Sequence, residues 1–236
     1  ARWCGAPVSY GFAQPRENLA SIFYTRQVIA GGDHVVEQNL SLAESVAGCA
    51  LRISPVEFPH DDSAERECDR RLKEHRVEDF ALLNPGAGWG AKQWPAERYG
   101  QVATQLAKDG VRSFVNFGPG EETIARAVEA ASRGAAEPVT GSLTQLIALT
   151  RRTRLFIGGD TGPMHLAAAL GVPVVGIFGP TNPARNGPFG TPNLVLRSAS
   201  SATSYKRLAE PDHGLLAISS AQVVAAARQL LKERHG

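Results

Sequence analysis

Apolar positions recur along this chain with two periods. From residue 79 onward, short apolar runs alternate with amphipathic stretches. Phe80–Leu83, VRSFVNFG, Glu137–Thr140, Leu155–Ile157, Val172–Phe178 and NLVLRS predict strands. Between them, a helix is predicted from Pro95 to a stop at Gly110, with others over GEETIARAVEAAS, SLTQLIALTRRT and the Ala- and Leu-rich stretch after Pro163. SAQVVAAARQLLKER predicts a terminal helix. Such alternation argues for a parallel sheet with helices on both faces, a doubly wound, Rossmann-like α/β domain.

The first third is less regular. Val8–Phe12 carries a strand signal. ENLASIFYTRQVI, with Leu19, Ile22, Phe23 and Ile29, suits a helix, and VVEQNLSLAESVAG suits a second that stops at Gly48. Residues 54–78 are polar and hold two prolines, predicting a connector and then a solvated helix, with a boundary near Ser54. The expected division is 1–54, a linker at 55–78, the α/β domain at 79–218 and a terminal helix at 219–236.

With 236 residues, 43% of them hydrophobic, the chain can bury a proper core. Its net charge of +2 argues against a nucleic-acid partner. The basic cluster of Arg151, Arg152 and Arg154 reads as a solvated helix end. Cys4, Cys49 and Cys68 are odd in number and lack metal-ligand spacing, which suits a reducing compartment. No apolar run approaches the ~20 residues that span a bilayer, and no signal peptide is visible. A soluble cytoplasmic protein is expected. The opening ARWCGAPVSYGF, without an initiator Met, reads as a piece that begins inside a larger protein.

In open α/β sheets, ligands sit beyond the carboxyl ends of the strands. Four such ends carry polar or Gly-rich segments: Asn84–Trp94, Phe117–Glu122, Gly158–His165 and Gly179–Gly190. In GGDTGPMHLAAAL, Pro163 suits the first turn of a helix, with Thr161 or Gly162 as its N-cap. The free N–H groups there form an anion site. Asp160 would repel a diphosphate but can accept hydrogen bonds from sugar hydroxyls, and His165 returns to the same rim. Taken singly, these residues are as well explained by capping and core packing; together at a strand end, they favour a ligand site.

NPGAGWGAKQWP offers glycines at 86, 88 and 90 and a point charge at Lys92. It is neither a P-loop nor G-x-G-x-x-G, since Ala91 stands where the third glycine belongs. Trp94 reads as a structural anchor. In FGPGEET, Glu121 and Glu122 open a helix, where acids are favoured by the dipole, and one of the two can reach a ribose diol. No D-x-D motif and no metal or cofactor site is visible.

GGDTGPMHLAAALGVPVVGIFGPT and NPGAGWGAKQWP, with RENLASIFYTR and HVVEQN nearer the start, resemble the glycosyltransferase family of bacterial lipopolysaccharide heptosyltransferases. The resemblance covers nearly the whole chain. It implies the GT-B architecture: two Rossmann-like domains, the C-terminal one holding a nucleotide-sugar, commonly ADP-heptose. The N-terminal one holds the lipid A/core acceptor and supplies an aspartate base. By this resemblance Lys92 and the backbone at Thr161 and Gly162 bind the donor diphosphate. Asp160 and His165 line its sugar and phosphate end, and Glu122 (or Glu121) takes the ribose. Residues 1–54 correspond to only the tail of the acceptor domain, so the base is expected upstream of Ala1, as is any peripheral contact with the inner membrane. The implied reaction is inverting and metal-independent. Two alternatives remain: an epimerase of the same architecture, with Asp212 and His213 as spare acid and base, and a non-catalytic nucleotide-sugar binder. In the two-domain plan the terminal helix, Ser219–Arg234, crosses to the first domain, which would leave Leu230 and Leu231 exposed here.

Overall fold

The computed structural model describes residues 5–15 and 17–233; Cys4 and Arg234, named above, lie outside them. The chain forms two compact units. One runs to Pro55 and includes Ala184–Asn186; the other comprises Val56–Pro183 and the residues from Gly187 onward.

In the first unit, β1 (Tyr10–Phe12) and β2 (Arg26–Val28) pair in parallel, with Tyr10 opposite Arg26. Ser9 and Thr25 lock the start of the pair. The Ser9 N–H donates to Thr25 Oγ1 at 2.8 Å, and the Thr25 N–H donates to Ser9 Oγ at 3.1 Å. The expected helix over ENLASIFYTRQVI is therefore corrected to a 3₁₀ turn, Asn18–Phe23, followed by a strand. Its apolar spacing marks no buried helix face among the described residues, since Leu19, Ile22 and Ile29 are all exposed. Helix α1 (Val35–Ala47) forms as expected. His34 Nδ1 accepts from the Val36 N–H at 3.1 Å, the Glu37 carboxylate accepts from the His34 N–H at 3.0 Å, and Gly48 ends the helix.

The second unit opens with α2 (Asp62–Glu74). The alternating series follows: β3 (Phe80–Asn84), α3 (Ala96–Lys108), β4 (Arg112–Asn116), α4 (Glu122–Ser132), β5 (Ala136–Val139), α5 (Leu143–Arg152), β6 (Leu155–Gly158), α6 (Gly162–Ala169) and β7 (Val174–Phe178). After the single turn α7 (Pro183–Asn186), of which Ala184–Asn186 belong to the first unit, come β8 (Asn193–Arg197), the short α8 (His213–Leu216) and α9 (Ser220–Glu233). The six strands β3–β8 are all parallel, in the order β5-β4-β3-β6-β7-β8.

Period-2 alternation assigns the two faces. Ala81, Leu83, Leu155, Ile157, Val175 and Ile177 pack with the residues of α3, α4 and α9. Phe80, Leu82, Phe114, Phe156 and Phe178 pack on the other side, where the helices supply mostly small residues such as Ala64, Ala148, Ala167 and Ala168. Large side chains from the sheet meet small ones from the helices, which lets α6 lie close to the strands.

Three expectations change here. The 55–78 segment is more than a linker, because α2 places Ala64 and Cys68, with Val77 after it, in the core. The terminal helix does not expose Leu230 and Leu231. Both are buried against the sheet and α3 side of this unit, because Val223, Ala227, Leu230 and Leu231 form a stripe at helical spacing that the unit itself covers. Arg151, Arg152 and Arg154 are not a solvated end. Arg151 and Arg152 both bond to Glu65, and Arg152 also reaches Asp69 at 2.7 Å. Arg154 pairs with Asp79 at 2.6 Å. Their partners lie far away in sequence, which a reading of local charge does not reveal. Among the described residues, no helix is long and apolar enough to cross a membrane.

Candidate functional site

The strand order reverses between β3 and β6. From β3 the chain winds outward through β4 and β5; from β6 it winds the other way through β7 and β8. Because β3 and β6 are neighbours, with Asn84 opposite Gly158, the loops after them diverge and leave a crevice at their carboxyl ends. Both motifs that the sequence singled out, Asn84–Trp94 and Gly158–His165, leave the sheet at this point.

Asn84 forms the floor and is 3% exposed. Its Oδ1 accepts from Asn116 Nδ2 at 2.7 Å, and its Nδ2 donates to the Gly86 carbonyl at 3.1 Å and reaches Thr161 Oγ1 at 3.5 Å. The Tyr99 hydroxyl donates to the Asn84 carbonyl at 3.3 Å, and burial pushes that phenol's pKa up, so it remains a donor. Three loops are thereby tied to one amide. Below them Trp94 fulfils its structural role: its indole N–H donates to the Ile218 carbonyl at 3.0 Å and its ring meets Tyr99 edge-on.

Lys92 and Asp160 come together from opposite sides of the switch point. Lys92 Nζ donates to Asp160 Oδ2 at 2.8 Å and to the Asp160 carbonyl at 3.2 Å, and lies 4.4 Å from the centre of the Trp89 ring. His165 Nε2 stands 3.3 Å from Asp160 Oδ1. Burial opposes ionisation of Asp160, but hydrogen bonds from His165 and Lys92, the Lys92 charge and a bond from the buried Thr181 outweigh it. The carboxyl is held below its ordinary pKa. Lys92 is thus partnered within the chain, where the sequence suggested a charge waiting for phosphate.

Thr161 is the N-cap of α6, and Pro163 stands in the first turn, where its missing N–H costs nothing. The Thr161 hydroxyl turns back to the Gly159 carbonyl at 3.3 Å, and no side chain caps the helix. Its N-terminus is therefore left for an anion. At Gly88 and Gly162 an added Cβ would meet nothing within 4 Å, and neither adopts a positive φ. Neither glycine is required by the surrounding packing or by its backbone. Both face open space, which leaves their backbone accessible to a ligand.

A cleft of about 310 Å³ opens beside this cluster, lined by Asn84, Gly88, Asn116, Glu121, Ser142 and Thr161 among others. Glu121 faces it, accepting from the Gly118 N–H at 2.9 Å with its carboxylate against Gly86. Glu122 does not. Its side chain is 68% exposed, 3.8 Å from Arg126, because the first residue of α4 points away from the sheet. Of the two acids, the one before the helix lines the cleft. Lys92, Asp160, Thr161, Gly162 and His165 are gathered at one place. The sequence reading missed Asn84, Asn116, Thr181 and Trp89. A signal existed for the first two: each is a polar residue closing an apolar strand, and the register sets the two strand ends side by side.

A site with an ammonium, an uncapped helix N-terminus, a carboxylate held ionised and a neighbouring cleft can take an anionic ligand with hydroxyl groups. Residues 1–212 match glycosyltransferase family 9 (heptosyltransferase). Lipopolysaccharide heptosyltransferase 3 of Escherichia coli K12 is 28% identical over 211 residues, which are 86% of this chain and 61% of that protein. Lipopolysaccharide heptosyltransferase 1 of Pseudomonas aeruginosa is 30% identical over 185 residues, 78% of this chain and 50% of that protein. The chain thus spans between half and two thirds of the length of these curated relatives. The solved E. coli heptosyltransferase WaaC with ADP is 25% identical, with a TM-score of 0.63 over 97% of this chain and 66% of that one. The chain belongs to glycosyltransferase family 9.

Proposed function

We propose that this chain is the donor-binding part of a glycosyltransferase that moves a heptose from ADP-heptose to the lipopolysaccharide inner core, with inversion and without a metal. The observation that carries the reading is the Lys92–Asp160–His165 cluster at the uncapped N-terminus of α6, at the strand-order switch point. The names of the relatives support the substrates, and the solved relative carries ADP.

In this reading the donor diphosphate takes Lys92 and the backbone at Thr161 and Gly162. An acceptor hydroxyl attacks the anomeric carbon, and the bond from that carbon to the diphosphate oxygen breaks, its electrons leaving with ADP. Lys92 and the helix N-terminus stabilise the charge that develops on that oxygen. Asp160, released by Lys92 yet still held by His165 and Thr181, accepts from the sugar hydroxyls. Of the two acids that the sequence offered for the ribose, Glu122 or Glu121, it is Glu121 that takes it. The acceptor and the catalytic base belong to the partner half of the two-domain plan, working at the cytoplasmic face of the inner membrane.

The epimerase alternative loses its spare acid. Asp212 caps α8, accepting from the Leu215 N–H at 3.0 Å and from Ser201 Oγ at 2.9 Å. The test is calorimetry with ADP-heptose, ADP and UDP, with and without EDTA. The reading expects ADP-heptose to bind best and EDTA to change nothing. Equal affinity for all three ligands, or a strict need for a divalent ion, would reject it.

A further inference from the structure

The crevice described so far leaves the long connection from β8 to α8 unused. Residues 198–212 form a strap with two fastened ends. At the first, the Arg197 guanidinium donates to the Gly179 and Ser201 carbonyls at 3.1 and 3.0 Å, and the Ser204 N–H donates to the Pro180 carbonyl at 2.8 Å. At the second, the Ala91 N–H donates to the Leu208 carbonyl at 3.0 Å, and the Asp212 N–H donates to the Ala91 carbonyl at 3.3 Å. The Ala209 carbonyl lies so close to Gly90 that a Cβ there would stand 1.6 Å from it. Only glycine permits that approach, so the strap and the Lys92 loop are built to fit one another.

Between these anchors Lys206 and Arg207 are exposed. Arg207 Cζ is 5.9 Å from the centre of the Trp89 ring, the same ring that Lys92 Nζ approaches at 4.4 Å. Both distances run to one centroid, so the two charges lie within about 10 Å of each other. Among the described residues, no carboxylate pairs with the Lys206 or Arg207 side chain; Glu210 is the remaining exposed acid of the strap.

The charge balance of the crevice gives this placement a purpose. Lys92 is neutralised by Asp160 at 2.8 Å. The α6 N-terminus adds only roughly half a positive charge. A diphosphate joined to a nucleoside and a sugar carries a negative charge on each phosphate, and the crevice alone does not match it. We infer that Arg207, with Lys206 beside it, is the second cation for the donor diphosphate, presented by the strap and oriented by its cation–π contact with Trp89. The inference rests on the donor-binding reading above and adds to it a positioning strap and a residue outside the motifs that the sequence displays. Arginine suits the task, since its planar fork bonds phosphate oxygens in pairs.

The test titrates the 236-residue chain and Arg207→Gln with ADP, adenosine and inorganic pyrophosphate at low and high salt. Arg207 is exposed, so the variant should unfold at the wild-type temperature. ADP and pyrophosphate should each bind roughly fivefold more weakly, the deficit shrinking at high salt. Adenosine should be unaffected, and Arg207→Lys should recover part of the loss. Equal ADP affinity in the two chains overturns the inference and leaves the donor reading intact. An equal loss for ADP and adenosine also overturns it, since Arg207 would then act only by holding the Trp89 loop. If the wild-type chain binds pyrophosphate but gains nothing from the adenosine moiety, the donor reading falls and the inference falls with it. A wild-type chain that binds none of the three rejects both.

Discussion

Strand β6 has an ionic cluster at each end, and the two are built differently. At its amino end Glu65 bonds to both Arg151 and Arg152, while Arg151 also donates to the Phe58 carbonyl at 3.0 Å and Arg152 to the Ala148 carbonyl at 2.9 Å. Most of the guanidinium nitrogens there bond to protein. At its carboxyl end Asp160 joins Lys92 and His165, but beside an uncapped helix, two glycines that face open space and a cleft. The same chemistry thus serves two ends. A closed cluster fastens a segment of chain, and an open one leaves charge for a ligand. What distinguishes them is the state of the surrounding backbone rather than the number of ion pairs.

The comparison breaks most readily at the closed end. Glu65→Ala removes the carboxylate that Arg151 and Arg152 share, leaving Arg152 only the Asp69 carboxylate, and should cost about 2–3 kcal/mol of stability in urea unfolding. A loss under ~0.5 kcal/mol would make that cluster no more than a surface pair. Burial opposes ionisation of Glu65, but bonds and charges from Arg152 and Arg151 hold its pKa below the ordinary value. The sign follows. The contribution is complete above the unfolded glutamate pKa of about 4.3 and is lost as pH falls through the lower folded value. The gap in melting temperature between wild type and Glu65→Gln should therefore close in acid; a gap independent of pH would contradict the assignment.

At the open end the larger effect belongs to Lys92→Ala, which should weaken ADP by about tenfold or more, given ~1.5–3 kcal/mol for a charge-assisted bond, and should also lower the melting temperature, because the largely buried Asp160 carboxylate loses one of its partners. Asp160→Asn should fold, and bind ADP as well as wild type or better, because Lys92 is released. ADP-heptose should lose its advantage over ADP. Unfolding of this variant, or equal loss of both ligands, would place Asp160 with Glu65 as a structural group. The smallest effect is expected for Gly88→Ala, whose Cβ meets nothing in the free chain. Stability should stay within ~0.5 kcal/mol while ADP weakens a few-fold; unchanged ADP affinity would remove this loop from the ligand's path.

The α/β alternation from Phe80 to the terminal helix was legible because strand and helix periods switch cleanly and the turns are marked by Gly and Pro. Residues 17–29 were not, since the same apolar spacing there serves a 3₁₀ turn and a paired strand, and pairing depends on distant Ser9 and Tyr10. The gathering of Lys92, Asp160 and His165 was legible as two motifs at strand ends. Their direct pairing was not, because it depends on β3 and β6 being neighbours, which the order of strands along the chain does not state. Glu65 was hidden for the same reason: its partners lie 86 and 87 residues away.

The most direct measurement is an ADP titration followed by backbone amide resonances of the isotope-labelled chain. The amides of Asn84, Gly88, Thr161 and Gly162 should shift together at a single saturation point, while those of Glu65, Arg151 and Arg152 at the other end of β6 stay in place. Shifts centred on the Glu65 end, or none at millimolar ADP, would contradict the account.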